Sequence, residues 1–160
     1  MPNTAGEKVV EKAELTYRRR LPHLRVGEAT YFITWRLRDT QTELSGEERE
    51  VVASALRSFA GTRYHLIGFV VMNDHVHVIV QPIENHELTK IVQSWKSYTG
   101  NRLQRAHHRK GAVWGREYFD RVIRDECELS DKIQYVLGNP QKRWPEVENY
   151  QWAWIADELV

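Results

Sequence analysis

The 160-residue chain has a single cysteine, Cys127, so it cannot form an internal disulfide, and this fits a reducing compartment. It has no apolar run long enough to span a membrane. Its first residues, Met-Pro-Asn-Thr-Ala-Gly-Glu-Lys, lack the apolar region of a secretory signal, so a cytoplasmic location is expected. No ATP-binding motif is present. An excess of charge of either sign is missing too: the net charge is only +1. With 41% hydrophobic and 28% charged residues, the composition is that of one soluble globular domain with a good core.

The near-zero net charge conceals an uneven distribution. Arg18, Arg19, Arg20 and Arg25 form one basic cluster, and Arg102, Arg105, His107, His108, Arg109 and Lys110 form another. Such clusters can supply phosphate contacts, although a solvated face is the commoner meaning of a charge run.

The most informative stretch is Met72-Asn73-Asp74-His75-Val76-His77-Val78-Ile79-Val80-Gln81. Strand geometry sends successive side chains to opposite faces, so His75, His77, Ile79 and Gln81 share one face and Val76, Val78 and Val80 the other. The valines can bury against helices, which leaves two imidazoles side by side. That arrangement suits a divalent metal, because neutral imidazole is its commonest protein ligand. Two partly exposed histidines on a solvated sheet face are the plainer explanation, and the pair needs partners before it means more.

The remaining chain reads as alternating strands and helices. Residues 1–25 make a polar, basic arm. Thr30 to Leu37 is rich in β-branched and aromatic residues and predicts a first strand. Ser45 and Glu48 form a capping box ahead of the helically spaced Val51, Val52, Ala55, Leu56 and Phe59, with Gly61 as the stop. Tyr64 to Met72 predicts a second strand, paired through an Asn73-Asp74 turn with the histidine strand. Asn85 is the expected N-cap of a helix whose stripe is Leu88, Ile91, Val92, Trp95, Tyr98 and Thr99. A basic loop, His107 to Gly111, leads to a fourth strand through Tyr118 to Ile123. A helix from about Leu129 to Gly138 follows, closed by Asn139-Pro140. Residues 141–160 form an aromatic tail that packs on the body.

This order predicts an α+β, ferredoxin-like (RRM-like) sandwich: four antiparallel strands with helices on one face, and a C-terminal helix near the open face. On that last helix Leu129, Ile133, Val136 and Leu137 share an apolar arc, while Tyr135 and Asn139 lie four residues apart on the other side. An ordinary half-exposed tyrosine, with an asparagine ending the helix before proline, accounts for this pair on its own.

Together with the histidine strand the pattern resembles the single-tyrosine HUH (His-hydrophobic-His) endonucleases, and among them the REP-associated tyrosine transposases. The resemblance runs from about Tyr17 to Trp154. It is carried by Tyr31-Phe32-Ile33-Thr34, Met72-Asn73-Asp74-His75-Val76-His77, Trp95-Lys96-Ser97-Tyr98-Thr99, Trp114 with Tyr118 to Arg124, Ile133-Gln134-Tyr135-Val136-Leu137-Gly138-Asn139-Pro140, and Asn149-Tyr150-Gln151-Trp152. It departs from the usual pattern at Asn73-Asp74, where relatives often have Pro-Asn.

The resemblance implies a catalytic domain over 26–140 and a metal-dependent single-strand DNA endonuclease and strand transferase. Such an enzyme acts on palindromic, REP-like hairpins through a covalent 5′-phosphotyrosine. Tyr135 would be the nucleophile; His75, His77 and Asn139 would hold Mg²⁺ or Mn²⁺. Asp74 would support an imidazole from behind. DNA backbone contacts are expected from Arg18, Arg19, Arg20, Arg25, Arg109, Lys110, Arg116 and Arg121, with free Trp and Tyr side chains stacking on unpaired bases. Tyr98 competes as nucleophile, but its place on the apolar stripe argues for packing. The resemblance further implies a bacterial, nucleoid-associated protein that is a monomer, with a dimer as the alternative. The competing functions are a non-catalytic hairpin DNA- or RNA-binding domain of the same fold, and a metal-dependent hydrolase using water.

Overall fold

The computed structural model describes residues 28–157; Arg18, Arg19, Arg20 and Arg25 lie outside them. In chain order the elements are β1 (Thr30–Leu37), α1 (Gly46–Ser58), β2 (Tyr64–Val71), β3 (His75–Pro82), α2 (Leu88–Ala106), β4 (Trp114–Ile123), α3 (Glu126–Arg143) and β5 (Ala153–Ile155). All five strands join one sheet in the order β4-β1-β3-β2-β5, and every pairing is antiparallel. The first four strands and their helices realise the expected ferredoxin-like sandwich.

The fifth strand is an addition. From the expected tail, Ala153–Ile155 extends the sheet beside β2. Gly68 permits this close approach: a Cβ there would collide with the Ile155 side chain and sit 3.1 Å from the Trp154 carbonyl oxygen. Trp144 and Trp152 hold the tail from outside by flanking the Arg49 guanidinium, 5.2 and 5.0 Å from their ring centroids.

Strand alternation sorts the apolar side chains into two cores. On one face Ile33, Trp35, Val76, Val78, Val80 and Phe69 pack against Val52 and Leu56 of α1 and Ile91, Val92, Trp95 and Leu103 of α2. Each such burial contributes roughly 1.5–3 kcal/mol. Trp35 stacks on Trp95 with centroids 5.8 Å apart. The Trp95 indole donates to the Tyr64 hydroxyl at 3.0 Å, which donates to the Leu56 carbonyl at 2.6 Å. Trp35 and Trp95 are therefore packing residues. On the other face a smaller core joins Val70, Met72 and Ile79 to Leu129 and Val136 of α3.

Ser45 and Glu48 form the expected capping box, each side chain bonded to the other's backbone amide. Three local expectations need correction. Asn85 is not the N-cap of α2; it takes a left-handed conformation (φ 69°), and Glu87 starts the helix without a side-chain cap. Asn139-Pro140 does not end α3, which runs on to Arg143. Proline's fixed φ is itself helical and removes one hydrogen bond, while the turn beyond is secured by Trp144, whose amide donates to the Pro140 carbonyl at 2.8 Å. Tyr98 does not pack: it is 59% exposed.

Candidate active site

The site is built on the sheet face opposite α1 and α2. In register, β3 places His77 beside Thr34 and His75 beside Arg36 of β1, with Val70 of β2 on the other flank of His77. Paired residues share a face, so Thr34, Arg36, His75 and His77 project together. The imidazole rings meet edge to face with centroids 4.7 Å apart.

From α3, the side chains of Tyr135 and Asn139 arrive one turn apart on the same line. Asn139 is buried, and its Oδ1 lies 3.2 Å from His75 Nε2. The Tyr135 ring stands 5.2 Å from His77, while Phe32 stacks on His77 at 5.2 Å and meets Tyr135 at 5.9 Å. Tyr135 remains 40% exposed. Its ring is therefore held among aromatics at the mouth of the site, with part of its surface open to solvent. The four residues read from the sequence as a set converge.

Each imidazole is fixed from behind. His75 Nδ1 lies 2.6 Å from Asp74 Oδ1, and because a carboxylate only accepts, that nitrogen carries the proton. His75 Nε2, on the far side of the ring, faces the Asn139 oxygen. His77 Nδ1 pairs with Thr34 Oγ1 at 2.6 Å, and His77 Nε2 is buried with no hydrogen-bond partner among the described residues. Burial, then the neighbouring His75, then Arg36, Lys132 and Lys142 push His77 down to about 3, so its ring is neutral near physiological pH. His75 Nε2, His77 Nε2 and Asn139 Oδ1 thus gather on one side of the pair, with His77 Nε2 buried and without a hydrogen-bond partner among the described residues. A divalent cation is the group that fits such a set. Among the described residues no three His, Cys, Asp or Glu side chains gather as a metal site; the third atom beside the two imidazoles is an amide oxygen.

A sequence model of the IS200-like transposase family matches residues 25–139. The chain belongs to this family. It is 21% identical over 126 residues to a Haemophilus influenzae protein assigned as a REP-associated tyrosine transposase, covering 70% of each. Its fold is similar to that of a REP-associated tyrosine transposase solved bound to a REP hairpin, with a TM-score of 0.65 at 20% identity over 82% of this chain and 81% of that one. A Deinococcus radiodurans protein assigned as a transposase is similar at a TM-score of 0.54 and 21% identity, over 71% of this chain and 92% of that one. Among the described residues no helix of this IS200-like transposase is long and apolar enough to cross a membrane.

The expected DNA contacts fare unevenly. Arg109 is corrected: its guanidinium is buried against the Glu48 carboxylate and also donates to Gln41 Oε1 and to the Thr42 and Glu43 carbonyls. With every donor committed inside the protein, it has none left for a phosphate. Lys110 is exposed in the same loop, which is anchored on residues 41–48. Arg116 lines a groove with Lys96, Gln104 and Trp114 on the helix side of β4, away from the histidines. Arg121 is in register with Phe32 and faces the site, held by Glu128 at 2.8 Å.

Sequence reasoning missed the cations nearest the chemistry. Lys142 Nζ sits 4.3 Å from the Tyr135 ring centroid, and Lys132 Nζ sits 4.6 Å from that of Phe32 and 5.8 Å from that of Tyr135. The signal was present: Lys132, Tyr135, Asn139 and Lys142 follow three- and four-residue steps along α3, one helical face. Arg36 and Thr34 were likewise legible as the period-two partners of Phe32.

Proposed function

We propose that this IS200-like transposase is a metal-dependent single-strand DNA endonuclease and strand transferase acting on palindromic hairpin DNA through a covalent 5′-phosphotyrosine. The observation that carries the reading is the convergence of His75 Nε2, His77 Nε2 and Asn139 Oδ1 beside the Tyr135 ring. A similarly folded transposase bound to a REP hairpin supports the substrate class.

His75, His77 and Asn139 would hold Mg²⁺ or Mn²⁺, the harder ions suited to an oxygen donor alongside two nitrogens. Bound there, the ion supplies Lewis-acid polarisation of the scissile phosphate. The chain's own residues do the rest. Asp74 and Thr34 fix the ring orientations, so both Nε2 atoms point into the site. Phe32 and His77 pack the Tyr135 ring and aim its hydroxyl. Arg36, Lys132 and Lys142 make the site positive and draw in the DNA phosphate. The Tyr135 oxygen bonds to phosphorus as the bond to the 3′ oxygen breaks; the phenolic proton passes to solvent water, and the departing 3′ oxygen takes a proton from water to become a hydroxyl. The phosphotyrosine retains the bond energy for rejoining, so no nucleotide cofactor is needed. Tyr135, Asn139 and both histidines come from one chain, which supports a monomer as the working unit.

The test is a denaturation-resistant protein–DNA adduct formed on labelled hairpin DNA with Mn²⁺. Wild type should form it and Tyr135→Phe should not. Equal adducts from both proteins, or strand cutting by wild type without any adduct, would reject Tyr135 as nucleophile; the second result would favour hydrolysis by water.

A further inference from the structure

We propose that Phe119 is a stacking platform for an unpaired nucleobase next to the phosphodiester held at the histidine pair; this rests on the DNA-cleaving reading of that site. Thr34 is in register with His77 on one side and with Phe119 on the other. Phe119, Thr34 and His77 therefore form one row across three neighbouring strands and share a sheet face. Two strand spacings of about 4.8 Å separate the ends of this row by roughly 10 Å. A base adjoining a phosphate at His77 reaches that far.

Packing does not account for Phe119. It is the most exposed large hydrophobic side chain among the described residues, at 63%, and it makes no ring contact among them. It lies on edge strand β4 between charged neighbours, Glu117, Asp120 and Arg121. Arg121 stands one row away beside Phe32, and Arg36 stands one row away on the other side beside His75. An isolated aromatic face rimmed by guanidinium groups matches a nucleotide of single-stranded DNA, with the ring taking the base and the cations taking phosphates. The expected stacking partners, free Trp and Tyr side chains, are not on this row.

Binding is measured in the Tyr135→Phe background, where no strand is joined to the protein, with two DNAs: a hairpin carrying an unpaired flank and the same stem without one. Phe119→Ala should weaken the flanked DNA on the order of 5- to 100-fold, the range for losing one base–aromatic stack, and leave the bare stem within about twofold. Phe119→Trp should retain the flanked affinity. A 2-aminopurine in the flank should be quenched at one position and recover in Phe119→Ala. Equal loss on both DNAs, or no loss on either, overturns the platform. If wild type forms no covalent adduct while Phe119→Ala still loses flanked DNA selectively, the platform stands and the cleavage reading falls.

Discussion

The two faces of the sheet use polar groups in opposite ways. On the helix side each charged group near the core is committed to architecture. Glu48 caps α1 and binds Arg109, and the Lys96 ammonium donates to the Gly115 and Arg116 carbonyls at 2.7 and 3.2 Å. On the histidine side the polar atoms are oriented but not consumed. His77 Nε2 has no partner among the described residues, Asn139 Oδ1 meets only His75 Nε2, and Lys142 rests on a ring. A buried polar group without a partner costs roughly 1–3 kcal/mol; Trp35 Nε1 bears that cost on the helix side as well, so what distinguishes His77 Nε2 is its place beside His75 and Asn139.

The sharpest way to break this contrast is to remove an uncommitted atom. His77→Ala should lower adduct formation by at least about 100-fold, since Lewis-acid stabilisation is worth several kcal/mol of barrier. Hairpin affinity should stay within a few-fold. Thermal melting gives an independent readout: Mn²⁺ should raise the melting temperature of wild type and leave that of His77→Ala unchanged, because a ligand that binds only the folded state stabilises it. A comparable loss of hairpin binding would mean that the histidines read DNA and hold no cation.

A second comparison sets Arg109 against Lys142, two cations that a sequence weighs alike. Arg109→Ala leaves Glu48 buried without its partner and should destabilise the fold by about 3–5 kcal/mol. Lys142→Ala removes an exposed ammonium and should leave stability nearly unchanged. It should weaken DNA binding and reduce the slope of log affinity against log salt by about one. Urea unfolding and salt-titrated binding on both variants decide the matter. The division of labour fails if Arg109→Ala folds normally but binds DNA poorly.

These pairs show what could be read in advance. Period two in β3 and four-residue steps in α3 are local geometry, so the faces of His75, His77, Tyr135 and Asn139 followed from residue order alone. The ferredoxin-like layout, with the second and histidine strands paired as a hairpin, followed from the alternation of elements. What residue order does not carry is which distant groups meet. Arg109 stands 61 positions from Glu48, and nothing local to its basic loop reveals the carboxylate waiting for it. Ala153–Ile155 is too short to announce a strand, and its place depends on the missing Cβ of Gly68. Phe119 reads as one more apolar strand residue until register puts it at the exposed end of the His77 row.

The smallest effect concerns pH, and it tests whether the helix-side pair is ionised as described. Burial would raise the Glu48 carboxyl, but hydrogen bonds from the Arg109 guanidinium and the Ser45 amide, with the Arg109 charge, outweigh it and hold the group below its ordinary 4.5. A carboxyl with a lower folded than unfolded value binds fewer protons when folded. The stability it contributes is full above about 4.5, then declines as pH falls through the folded value. Glu48→Gln removes that titration while keeping the side chain's shape. The stability gap between wild type and Glu48→Gln should be widest near neutral pH and should narrow on the acid side of 4.5. A gap that stays constant into acid would mean that hydrogen-bond geometry alone, without charge, joins Glu48 to Arg109. The helix face would then differ from the histidine face in packing but not in how it uses charge.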